Sequence, residues 1–206
     1  MSSPVTRIAI IAGVIAAAAA AGFAIANYSG LLGSQSVVES IGMPKVGGPF
    51  ALVDQDNKPV TDATYRGKVM VVYFGYTFCP DVCPTELAKI ATAVDSLGKD
   101  ADQVAPIFIT VDPTRDTPDK MKSYVEQFDK RMIGLTGSAD QVSQVAKEYR
   151  VYSAKSGDTS GQYYLVDHTS FIYLMDRTGK YSGIARPDDP PEALAASIRD
   201  LLKAQG

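Results

Sequence analysis

Val69-Met70-Val71-Val72-Tyr73-Phe74-Gly75, entered from Lys68, is an uninterrupted apolar run, and no other stretch limits the fold so tightly. A strand with one wet face alternates apolar and polar residues. A run without alternation is expected where both faces are covered. Val104 to Val111 (VAPIFITV) repeats the pattern. Between them, Leu87, Ile90, Ala91, Val94 and Leu97 fall at helical spacing in a segment starting near Pro84. Thr117-Pro118 reads as an N-cap with proline at the first helical position, opening a helix that would bury Met121, Tyr124, Val125 and Phe128. A short segment, Met132 to Thr136, precedes a helix from Ala139 to Tyr149. Tyr163 to Val166 and Ser170 to Met175 read as strands, Arg177 to Lys180 as the turn into Tyr181 to Ala185, and Pro191 to Lys203 as the last helix. Upstream, Phe50 to Thr61 reads as a small hairpin. Strands alternating with helices define an α/β class, a three-layer domain with a partly parallel sheet. Sites in such sheets form at the C-terminal ends of strands, in the loops leading into helices.

The N-terminus is of another kind. Ile8 to Ala26 carries no charge over 19 residues, and Arg7 is the only charged side chain before it. At ~1.5 Å per residue such a helix is about 28 Å long, close to the hydrocarbon thickness of a bilayer. The expected organisation is a cytoplasmic tail over 1–7, a transmembrane anchor over 8–26, a Gly- and Ser-rich tether over 27–45, and a globular domain over 46–206. A cleaved signal peptide is the competing reading, since Ala24-Ile25-Ala26 resembles a cleavage site. Arg7 on one side, with no Lys or Arg on the other until Lys45, puts the tail inside by the positive-inside rule. Seven residues leave no room for a transit peptide, so the expected location is a bacterial inner membrane, single-pass, with the domain in the periplasm. A net charge of -3 without a Lys/Arg cluster argues against nucleic acid as a partner.

The loop after the first apolar run is the second constraint. Cys79 and Cys83, the only cysteines, stand there in Thr77-Phe78-Cys79-Pro80-Asp81-Val82-Cys83-Pro84, and His168 is the only histidine. Pro84 restricts where the next helix begins and biases Cys83 away from helical geometry. Both thiols are therefore expected in the loop before the helix, near its positive end, where a thiol pKa falls. Three residues in a turn can bring the cysteines within disulfide reach. The pair can thus be dithiol, disulfide or metal-bound. His168, expected at the entry to a strand, would complete a Cys₂His set. Structural zinc would need a fourth ligand such as Asp81, whereas thiolates select Cu(I) and imidazole also suits Cu(II). Asp112-Pro113-Thr114-Arg115-Asp116-Thr117 reads as a turn and a helix cap, or as further lining of the same rim.

GYTFCPDVCPTEL, VDPTRDTP and VDHTSFIYLMD, in this order behind an N-terminal anchor, resemble the Sco/SenC family of copper-binding proteins over roughly residues 46 to 204. The resemblance implies a thioredoxin-like fold and copper, as Cu(I) or Cu(II), held by Cys79, Cys83 and His168. It implies a membrane-tethered copper chaperone without catalytic turnover, assisting assembly of the dinuclear copper centre (CuA) of cytochrome c oxidase. The implied partners are the oxidase subunit carrying that centre and an upstream periplasmic copper donor. The alternative is a thiol–disulfide reductase that keeps the oxidase cysteines reduced, with Cys79 attacking and Cys83 resolving. One departure is Phe78, where many members carry histidine just before the first cysteine. Thioredoxins use Cys-x-x-Cys, and His168 takes the place of their cis-proline. Peroxiredoxins want Thr or Ser where this chain has Pro80.

Overall fold

The computed structural model describes residues 45–159, 161 and 163–204. The expected tail, the span over 8–26 and the tether up to residue 44 lie outside these residues. Among the described residues no helix is long and apolar enough to cross a membrane.

Among the described residues there are nine strands: β1 (Ala51–Asp54), β2 (Pro59–Thr61), β3 (Val69–Gly75), β4 (Val104–Thr110), β5 (Ile133–Thr136), β6 (Ser153–Ser156), β7 (Leu165–His168), β8 (Ile172–Met175) and β9 (Tyr181–Ala185). The helices are α1 (Val82–Asp95), α2 (Pro118–Val125), α3 (Ala139–Glu148) and α4 (Pro191–Lys203). Seven strands form one sheet in the order β2-β1-β5-β4-β3-β8-β9. β3, β4 and β5 are parallel, and the pairs β1–β2, β1–β5, β3–β8 and β8–β9 are antiparallel. β6 and β7 pair only with each other, as a separate antiparallel ribbon.

The two-residue period of β3 divides its apolar run between the faces. Val69, Val71 and Tyr73 pack with Leu87, Ile90 and Val94 of α1, Met121 and Val125 of α2, and Ile198 of α4. Met70, Val72 and Phe74 pack with Val142 and Val145 of α3 and with Phe50 and Tyr65. Every residue of β3 and β4 is buried, as a strand covered on both faces requires. The fold is thus a three-layer, thioredoxin-like α/β domain.

The elements depart from expectation in three places that bear on the site. α1 begins at Val82, two residues before Pro84, so Cys83 lies inside its first turn. The bias against a helical residue before proline is a preference; here burial of Cys83 and its N–H bond to the Cys79 sulfur (3.4 Å) hold it helical. β7 runs two residues later than expected, so His168 closes that strand instead of opening the next. β6 was not expected, because Ser-Ala-Lys-Ser has no apolar alternation. In the segment from Pro118, Met121 and Val125 are buried, but Tyr124 and Phe128 are only half-buried.

Candidate metal centre

β3 ends at Gly75 with its C-terminal end facing α1, and the connection carries Tyr76, Phe78 and Cys79. Cys79 turns back on this connection, its N–H donating to the Tyr76 carbonyl at 3.2 Å. Its sulfur then accepts the backbone N–H groups of Asp81 and Cys83. Asp81, the N-cap residue of α1, makes no side-chain cap bond, so the Cys79 sulfur takes that role. Cys83 is fully buried under Gly75, and Cys79 is half-buried. A Cβ on Gly75 would stand 2.6 Å from the Cys83 sulfur, so only glycine leaves room for the thiol there.

His168 arrives from 85 residues downstream, on the ribbon. Its Nε2 lies 3.3 Å from the Cys83 sulfur. Nδ1 lies 3.0 Å from the Thr169 carbonyl, which can only accept, so this bond assigns the proton to Nδ1 and leaves a lone pair on Nε2. The rings of Tyr73 (6.1 Å) and Tyr76 (5.9 Å) meet the imidazole edge to face. Tyr73, itself buried, also points its hydroxyl at the Cys83 sulfur, 4.0 Å away.

The two sulfurs and the imidazole nitrogen all lie within 4.8 Å of one another. Asp81 does not join the group, so the described residues offer three donors and no fourth carboxylate. Two thiolates and an imidazole suit a soft or borderline ion and leave a coordination position for exchange.

The two thiols differ in acidity. The Cys83 S–H bond to Cys79 is the largest influence holding the Cys79 thiol down, to about 3, with the Asp81 and Cys83 N–H groups adding to it against the cost of burial. The same proton, shared with Cys79, and then burial push Cys83 well above the ordinary thiol range. Of the metal-free pair, Cys79 is thus the more acidic thiol and Cys83 the one that keeps its proton more tightly. The expected effect of the helix N-terminus is realised through particular N–H groups.

Within the Asp112–Asp116 segment Thr114 is exposed, but Asp112 (2% exposed), Arg115 (9%) and Asp116 turn inward. Asp116, fully buried, accepts the Thr77 N–H (3.0 Å), the Thr77 hydroxyl (2.6 Å) and the Thr110 hydroxyl (2.6 Å), pinning the segment two residues before Cys79. Burial raises its pKa against those bonds. Sequence reasoning missed Tyr73, Tyr76 and Tyr164, and gave Asp116 only as part of a turn, cap or rim. An Asp beside a Thr-Pro cap and tyrosines in apolar strands carry no local sign of where they point.

A thiolate–thiol pair facing an imidazole, at the C-terminal edge of a thioredoxin-like sheet, defines a protein of the dithiol metal-binding or thiol-exchange class. The family model described as SCO1/SenC matches residues 38–203. Protein sco1 of Schizosaccharomyces pombe is 42% identical over 168 residues, 80% of this chain and 64% of that protein, so the chain spans less than two thirds of that relative. An SCO2-like protein of Rickettsia prowazekii is 43% identical over 138 residues, 66% of this chain and 67% of that one. Among solved structures, Bradyrhizobium japonicum ScoI with copper bound is 46% identical with a TM-score of 0.71, covering 76% of this chain and 99% of that one. Yeast Sco1 with copper bound is 38% identical with a TM-score of 0.72, covering 78% and 90%. The chain belongs to the SCO1/SenC family.

Proposed function

We propose that this protein is a copper carrier in which Cys79, Cys83 and His168 bind one copper ion for transfer to the dinuclear copper centre of cytochrome c oxidase. The observation that carries the reading is the meeting of two sulfurs and the Nε2 lone pair within 4.8 Å, from segments far apart in sequence. Copper-bound relatives at 46% and 38% identity support the choice of metal. Cys79, the more acidic thiol, is the readier of the two to meet the metal as thiolate, and Cys83 must give up its more tightly held proton on loading. Two thiolates satisfy Cu(I), and the imidazole adds the donor that Cu(II) favours. Three ligands leave an open position through which an acceptor's ligands can enter. Residues 8–26 would anchor the carrier in a bacterial inner membrane, with the domain in the periplasm, where an upstream donor loads it and the oxidase subunit unloads it.

The test titrates the reduced chain under nitrogen with Cu(I) and Cu(II), reading stoichiometry and EPR for the native protein and His168→Ala. One copper per chain, with nitrogen coordination lost in His168→Ala, is the expected result. No retained copper would sink the reading.

A second reading has its own observation. Cys79 is a half-exposed thiolate beside a buried thiol, the arrangement of an attacking and a resolving cysteine in a thiol–disulfide reductase. His168→Ala separates the two readings, since it removes a copper ligand and leaves disulfide exchange largely intact.

A further inference from the structure

Resting on the metal-site reading above, we propose that Arg115 is a positioning residue: its guanidinium clamps the ribbon that carries His168 to the loop that carries Cys79, and so decides whether the site holds Cu(II). The need for a clamp arises from topology. The cysteines stand on the seven-stranded sheet and its helix, but β7 shares no ladder with that sheet. Backbone holds His168 to the sheet only at one end, through the three residues that lead into β8, so side chains must share in setting the 3.3 Å between His168 and Cys83.

Arg115 makes that connection from both sides. Its Cζ lies 3.7 Å from the ring centroid of Tyr164, the residue entering β7. It also lies 4.9 Å from the ring of Phe78 and 5.6 Å from that of Tyr76, both on the cysteine loop. In its plane, Nη1 donates to the Tyr164 carbonyl at 2.8 Å, and Nε donates to Asp112. The Tyr164 hydroxyl donates to the other Asp112 oxygen at 2.8 Å, closing a three-residue circuit. A second tie runs beside it, the Val166 N–H donating to the Tyr76 hydroxyl at 3.2 Å. A guanidinium can stack on rings and donate in its plane at the same time, and an ammonium cannot. The nine-tenths burial of Arg115 keeps these contacts dry, where such contacts are strongest.

The consequence differs between oxidation states. If the ribbon shifts, the dithiol still serves Cu(I), while Cu(II) loses its nitrogen donor. Supporting partners of metal ligands typically matter by about 10–100-fold in affinity.

The experiment uses the full chain in detergent micelles, as native protein, Arg115→Lys, Tyr164→Phe, Lys155→Met and His168→Ala. Amide hydrogen exchange over Leu165–His168 is measured on reduced, metal-free protein, and affinity and EPR are recorded with each copper ion. Arg115→Lys is expected to speed ribbon exchange about tenfold, weaken Cu(II) about tenfold with loss of nitrogen coupling, and leave Cu(I) within about threefold. Tyr164→Phe, which keeps the ring and loses only the Asp112 bond, should move the same readouts less. Lys155→Met removes a cation 4.1 Å from the same Tyr164 ring and should change nothing. Native exchange and a native Cu(II) spectrum in Arg115→Lys would overturn the clamp, as would an equal effect of Lys155→Met. Should Arg115→Lys fail to fold, unchanged ribbon exchange in Tyr164→Phe overturns it and faster exchange supports it. A His168→Ala protein with the native Cu(II) spectrum would instead refute the ligand assignment, and the metal-free exchange data would still judge the clamp.

Discussion

Replacing Gly75 by alanine tests the packing on which the thiol pair depends. The added Cβ would stand 2.6 Å from the Cys83 sulfur, 2.9 Å from Phe108 Cε2 and 3.3 Å from Tyr73 Cε1. Ordinary contact lies near 3.5–4.0 Å, so the sulfur is roughly 1 Å too close. Neither neighbour yields easily: Cys83 is held in the first turn of α1, and Phe108 is fully buried in β4. Overpacking of this kind costs about 1–3 kcal/mol, offset by about 0.4–1 kcal/mol from the stiffer unfolded chain, for a net loss near 1–2 kcal/mol. Urea unfolding of the reduced, metal-free compact unit from Lys45 onward reads this as a lower midpoint at constant slope. The clash assigns a partner, so a double-mutant cycle is decisive. In a Cys83→Ala background the sulfur is gone, and Gly75→Ala should cost about 1 kcal/mol less. Additivity within about 0.3 kcal/mol would refute the claim that glycine is required there by the thiol.

Three further outcomes are expected. Cys79, with a pKa of about 3, should be alkylated by iodoacetamide at pH 5 nearly as fast as at pH 7, whereas an ordinary thiol slows about 100-fold over that interval. Cys83→Ala removes the largest influence lowering that pKa and should restore much of the pH dependence, read by mass spectrometry of the alkylated peptide. Asp116→Asn keeps one acceptor where a carboxylate met three donors with its two oxygens, and should destabilise the fold by about 1–3 kcal/mol at neutral pH in urea titrations. Because burial raises the Asp116 pKa, the native protein's contribution from this group is greatest below the ordinary carboxylate range and declines as pH rises through the folded value. Asp116→Asn should lack that decline, so parallel stability–pH curves for the two proteins would contradict it.

Much of the scaffold was legible because its signals are local. The apolar runs 69–75 and 104–111 became β3 and β4, and the Thr117-Pro118 and Pro191 starts became α2 and α4. The start of α1 was placed two residues late, leaving Cys83 outside the helix, because proline's bias on its neighbour can be outweighed by burial and by a sulfur acting as the helix cap. The ribbon was half missed because β6 has a polar sequence that carries no period.

The thiol pair was determined by sequence in place and chemistry: two cysteines after a buried strand, before a helix, can serve only a small set of reactions. His168 is different. The sequence supplies one imidazole and its resemblance to a family, but its 3.3 Å approach to Cys83 depends on a ribbon outside the main sheet. The same holds for Arg115, Asp112 and Asp116, which look like a turn and a cap in the chain, and for Tyr164, which looks like part of a strand; all four are buried in the fold. Local pattern fixes which strands and helices form, because backbone geometry and side-chain periodicity act over a few residues. Which side chains then meet across 39 or 85 residues is decided by packing, and only the tertiary structure contains that.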